Sequence, residues 1–199
     1  LHALTRLAWQ SGRRIEPNIN YALSQKNNHG ISEAAGLWTI GLLFPEFPES
    51  SRWMKAGWRH LRREVNRQIY TDGSYVQHSF NYHRVMLDDL LWVLRLSAIN
   101  DQPTGDIMPA FTRATDWLGQ FIERATGRVP NYGANDGANV LPLSCCDYLD
   151  YRPVHQTAHF VAHGERAWPE GPWDEKLLWL CGPEALSADV EPVRRKPVF

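Results

Sequence analysis

Residues 74–84, Ser-Tyr-Val-Gln-His-Ser-Phe-Asn-Tyr-His-Arg, gather two tyrosines, two histidines, an arginine, a glutamine and an asparagine. Phenol, imidazole, guanidinium and amide groups can together move a proton and hold an anion. The ten residues that follow, Val85 to Leu94, are apolar enough to form a buried helix. A polar, titratable stretch feeding a buried helix is an active-site arrangement, with the helix start holding the reacting groups still. Structural networks also collect titratable groups, so composition alone leaves both readings open. A second polar stretch, Asn27-Asn28-His29-Gly30, precedes another apolar run, Ile31 to Phe44. A third, Asn131-Tyr132-Gly133-Ala134-Asn135-Asp136-Gly137, lies in a long irregular segment, 130–151. Irregular segments of that length inside a domain are usually functional.

The elements that must position these residues read as helices. Leu1 to about Arg14 has helical apolar spacing and is expected to end at Pro17. Residues 18–28 are a short helix or loop. Ile31 to Phe44 carries almost no charge and is expected to be a buried helix. A helix over about 51–70, capped by Ser50 or Ser51, has Trp53, Gly57, Leu61, Val65 and Ile69 on one side. Its arginines (Arg59, Arg62, Arg63, Arg67) read as a solvated face. Further helices are expected over about 82–98, 107–125 with Gly127 as the stop, 154–167 and 173–181. No strand series stands out, so the class is all-α. Buried and amphipathic helices alternate, which suits a double-layered ring with the polar stretches before its inner helices at one end. There is no fixed repeat period to indicate a solenoid.

With 199 residues, the chain is one large domain or part of a longer protein. It begins inside an apparent helix and finishes on Arg194-Arg195-Lys196-Pro197-Val198-Phe199, which reads as a linker, so a piece of a longer chain is expected. The net charge of −1 gives no global basic field for nucleic acid. No apolar run approaches the roughly 18 residues needed to span a bilayer. Three cysteines make no disulfide framework. Nine tryptophans could line a sugar-binding groove, although core packing accounts for most such residues.

In their order and spacing, the stretches Asn27–Gly30, Gln77–Arg84 and Asn131–Gly137 resemble the heparinase II/III-like polysaccharide lyases, alginate lyases included. The resemblance runs from about Asn18 to Phe199. It implies an incomplete α/α toroid (1–186) and a linker (187–199) toward a β-sandwich domain. It also implies β-elimination at a uronic acid of an anionic polysaccharide such as heparan sulfate or alginate. In that scheme a tyrosine serves as acid and often base, an Asn/His pair binds the carboxylate, and a further histidine comes from the β domain. No cofactor or metal is expected at the site, and the location expected for such a lyase is periplasmic or secreted.

The residues themselves fit this chemistry. Removing the C5 proton of a uronate builds negative charge beside a carboxylate, and an amide or imidazolium bound there stabilises the enolate-like form. Asn28 and His29 offer such donors; as helix-capping residues they would still present N–H groups to an anion. The leaving O4 needs a proton, which Tyr82 could supply. Tyr82 lies between His83 and Arg84 in sequence, so a positive environment that lowers its pKa is expected. Tyr75 is the alternative tyrosine. His78, Arg84, Gln77 and Asn131 are candidates for binding substrate, while Asn135 and Asp136 read better as turn residues beside glycine.

Two rival readings remain. A glycoside hydrolase would need two carboxylates across a groove, from among Glu33, Asp88, Asp89 and Asp136. A non-catalytic carbohydrate-binding helical domain would need no catalytic tyrosine. His155, His159 and His163 recur every four residues, a spacing that can bind zinc, but Gln156 stands where the metalloprotease motif has its glutamate.

Overall fold

The computed structural model describes residues 2–192; the basic stretch from Arg194 to Phe199 lies outside them. Seven α-helices and a 3-10 turn follow one another: α1 (His2–Gln25), α2 (Asn28–Leu43), α3 (Ser50–Gln68), α4 (Phe80–Ile99), α5 (Met108–Gly119), α6 (Arg152–His163), α7 (Asp174–Cys181) and the turn Pro183–Ser187. The described residues hold isolated bridges, Ile69 to Tyr75 and Arg166 to Val190, in place of a sheet. The expected all-α class is what the chain adopts.

The helices form two layers. α2 and α4 pack on each other, with α1 and α3 covering α2, and α5, α6 and α7 gathered around α4. α2 is buried along Ile31, Ala34, Ala35, Leu37, Trp38 and Ile40 because almost nothing in it is charged. Two glycines let α3 lie unusually close to it. A Cβ on Gly41 would come within 2.5 Å of the Met54 backbone nitrogen, and one on Gly57 within 2.5 Å of the Trp38 backbone nitrogen. α3 turns Trp53, Leu61 and Val65 inward and leaves Arg59, Arg62, Arg63 and Arg67 in solvent. Most tryptophans go to the core or pack on it, among them Trp38, Trp53, Trp117 and Trp168, rather than lining a groove.

Several boundaries differ from expectation. α1 does not stop at Pro17 but continues to Gln25. The lost hydrogen bond is outweighed by burial of Ile19, Ala22 and Leu23 beyond it. Neither Ser50 nor Ser51 is the residue before α3: Glu49 holds that place, and the Ser50 hydroxyl donates instead to the Phe44 carbonyl. α4 starts at Phe80 rather than at about residue 82, so Asn81 also lies in its first turn. α5 ends at Gly119, and Gly127 closes a separate turn in which its N–H bonds the Glu123 carbonyl. The segment expected as a linker begins docked: Arg166 N–H donates to the Asp189 carbonyl and Glu191 N–H to the Arg166 carbonyl.

Candidate active site

α2 and α4 run in the same sense, and their starts lie together. The Asn28 N–H donates to Gln77 Oε1 at 2.8 Å, joining the first turn of α2 to the stretch before α4. Farther along, Ser32 bonds Asp89 and Trp92 bonds Thr39. The cap of α2 is Asn27, whose side chain accepts the His29 N–H at 3.1 Å. Asn28 is therefore the first helical residue and not the cap. Its carboxamide has no hydrogen-bond partner among the described residues, and the neighbouring His29 is exposed. Both side chains are accessible to solvent.

Ser79 caps α4 by accepting the Tyr82 N–H at 3.2 Å, and its hydroxyl donates to the Ala134 carbonyl at 2.5 Å. The Phe80 N–H reaches the Tyr132 carbonyl at 3.3 Å. The irregular segment is thus laid across the start of α4. Gly133 makes this possible: with φ of 78°, it sits where a Cβ would come 2.1 Å from the His78 carbonyl oxygen. His78 itself has a φ of 49°, a left-handed conformation that a non-glycine residue adopts at a cost, and its ring is exposed beside Tyr70.

Tyr82 is half-buried, and its hydroxyl donates to Asp136 Oδ2 at 2.5 Å. That carboxylate also accepts Asn81 Nδ2 at 3.2 Å and the Ala138 N–H at 3.1 Å. The positive environment expected around Tyr82 is absent. The bond to Asp136 raises the phenol pKa instead of lowering it, and it holds the carboxylate below its ordinary range. His83 faces away, buried and stacked on Trp117 at 4.9 Å, with Nε2 against the Ala114 carbonyl. Burial pushes it down to about 4, so it is neutral near pH 7.

Arg84 also turns inward. It donates to the Tyr148 carbonyl at 2.6 Å and to Asn81 Oδ1 at 2.9 Å, and its guanidinium lies over the rings of Tyr148 and Tyr151. It pins the irregular segment and the start of α6 to α4; as a substrate ligand it is already occupied. Tyr75 is 2% exposed and donates its hydroxyl to Gln68 Oε1 at 2.9 Å, so it has no route to a sugar. Asn131 is exposed and lines a cleft of about 350 Å³ with Phe80, Asn81, Asn135, Leu149 and Tyr151. Gln77 is engaged by the Asn28 N–H.

Asp136, Asn81 and Tyr148 carry the site's hydrogen-bond network; from sequence Asp136 read as a turn residue or a glycosidase acid, and Asn81 and Tyr148 were not candidates. Asn135-Asp136-Gly137 does make the expected turn, with Asn135 Oδ1 accepting the Gly137 N–H. The Asp136 carboxylate serves that turn and Tyr82 together. Side chains able to hold a metal converge elsewhere, on α5 and α6.

Residues 16–104 match the family described as Heparinase II/III N-terminus, a span that includes Asn28, His29, Gln77 and Tyr82. Over that span the chain is similar to the heparinase II/III-like proteins. It is 29% identical over 147 residues, 74% of its length, to a heparin-sulfate lyase of Bacteroides thetaiotaomicron. It is 38% identical over 60 residues to one of Bacteroides stercoris and 35% identical over 68 residues to one of Pedobacter heparinus. These alignments cover 20%, 9% and 10% of the respective relatives, so the chain matches only a minor part of each. No solved structure matches it. The similarity and this network together make polysaccharide lyase chemistry the candidate activity.

Proposed function

We propose that the chain supplies the carboxylate-binding amide and the acid of a lyase that cleaves a uronate-containing polysaccharide, heparin/heparan sulfate-like or alginate-like, by β-elimination. One observation carries this reading: an unpartnered Asn28 carboxamide and a partly open Tyr82 phenol belong to adjacent helix starts joined through Gln77. In the proposed cycle, Asn28 and His29 donate to the uronate carboxylate and stabilise the charge that builds as C5 loses its proton. Tyr82 exchanges its hydrogen bond to Asp136 for one to O4 and protonates the leaving oxygen. A phenol held against a carboxylate stays protonated, which suits an acid and not a base. The group that removes the C5 proton is then a different one, a role that the histidine expected from a β-sandwich domain would fit.

His78 and Asn131 lie where neighbouring sugar units would contact the rim. Arg84 acts by holding the irregular segment in place. Glycoside hydrolysis is the weaker reading because three of its four candidate acids are already used: Asp88 is buried against Lys176, Asp89 accepts from Ser32 and Asp136 accepts from Tyr82. The expected compartment is periplasmic or secreted, where such polymers are met. None of the described helices is long and apolar enough to cross a membrane.

The test uses the full-length protein on heparan sulfate, alginate and hyaluronan, following the ultraviolet absorbance of the C4–C5 double bond. Absorbance from at least one uronate polymer, lost in Tyr82→Phe and Asn28→Ala, is the expected result. Reducing ends appearing without ultraviolet absorbance, or full turnover by Tyr82→Phe, would refute it.

A further inference from the structure

One face of α6 carries a donor set that the proposed reaction does not use. His159 and His163 lie one turn apart, with ring centroids separated by 4.5 Å. His163 Nε2 is 2.8 Å from Asp116 Oδ1 on α5. His159 Nε2 is enclosed and makes no hydrogen bond, although the residue is only 6% exposed. A buried polar atom without a partner is costly and calls for an explanation. One donor atom from each of Asp116, His159 and His163 falls within 4.8 Å of the others. Glu191 Oε2, from the segment after the 3-10 turn, stands 3.6 Å from His159 Nε2.

We infer that Asp116, His159 and His163, with Glu191 as fourth ligand, form a binding site for a zinc-like divalent cation. Two imidazoles at i and i+4 with two carboxylates can supply a tetrahedral shell at about 2.0–2.2 Å. The donors already converge, and small side-chain rotations would bring them to that distance. Occupancy gives the orphaned His159 nitrogen a partner. Asp116 and His163 are partly open to solvent, so an ion can enter.

His155 is not part of this set. Its Nδ1 accepts the Trp168 indole N–H at 3.0 Å, and its ring is packed against Gly119. The cation would be structural. It would tie α5 and α6 to the segment that already pairs through Arg166 with Asp189 and Glu191. Four protein ligands leave no open position for a reacting water.

The test is calorimetric titration of Zn²⁺ into the metal-stripped, tag-free protein, with Co²⁺ absorption as a second readout. One site with a dissociation constant of about 1 μM or tighter is expected, with a tetrahedral Co²⁺ spectrum and a thermal midpoint raised by Zn²⁺. His163→Ala, His163→Gln and Asp116→Asn should each weaken binding at least tenfold and abolish the thermal shift. All three changes are at solvent-exposed side chains, and circular dichroism verifies that the variants stay helical. No saturable binding below about 100 μM, or binding that survives both His163 substitutions, would overturn the assignment.

Discussion

At the scale of single residues, the central pair is Tyr82 and Asp136. Asp136 raises the phenol pKa, so Asp136→Asn should bring the Tyr82 titration down toward the ordinary tyrosine range of about 10. The difference in tyrosinate absorbance between the two proteins measures it. Under the proposed cycle the same substitution should raise kcat in the full-length protein and leave KM little changed, because Tyr82 no longer has to give up a charge-assisted bond before it protonates O4 and the Asn28 amide is untouched. Tyr82 and Asn28 were legible in the sequence because each carries a chemically specific group at the start of an apolar run. Asp136 was not, since Asn-Asp-Gly already reads as a turn and its partner lies 54 positions away. The expected cationic surroundings of Tyr82 failed for a geometric reason. Successive residues on a helix point about 100° apart, so His83 and Arg84 face the interior while Tyr82 faces the rim.

At the scale of elements, the irregular segment depends on α4 for its shape. Arg84→Met removes a buried cation that satisfies two carbonyls and the Asn81 amide oxygen. A loss of roughly 1–3 kcal/mol is expected in urea unfolding, together with faster proteolysis within 130–151. Gly133→Ala should cost roughly 1–3 kcal/mol, because its φ is positive and the His78 carbonyl occupies the space a methyl would need. Ser79→Ala loses a cap, worth about 1 kcal/mol, and a tie to Ala134. Helix identity was readable from periodicity along most of the chain. The ends were harder, because tertiary burial carried α1 through Pro17 and drew Ile122 into the core from the irregular stretch after α5 rather than from the helix.

At the scale of the whole molecule, three buried groups set an acid limit on stability. Burial pushes His83 down to about 4 and His155 down to about 3. Each is neutral when folded and takes up a proton on unfolding once the pH falls below about 6.5. Asp89 works the other way. Although the residue is partly exposed, its carboxyl is enclosed between α2 and α4, and burial pushes it up to about 7. It therefore holds a proton when folded that it gives up on unfolding above about pH 4. From pH 6.5 to 4, two protons gained against one released make these groups reduce stability by about 1.4 kcal/mol per pH unit toward acid. Asp89→Asn removes the opposing contribution, and the slope in urea unfolding should steepen to about twice that.

The parallel course of α2 and α4 has an electrostatic consequence. Two helix dipoles present their positive ends at a single rim, each equivalent to roughly half an elementary charge. A molecule of net charge −1 thereby gains a local attraction for polyanions that no titratable side chain provides and no pH change within the folded range removes. Only dissolved ions can weaken it. Raising ionic strength should therefore loosen capture of the polymer, seen as a rising KM, while kcat for chains already seated stays level.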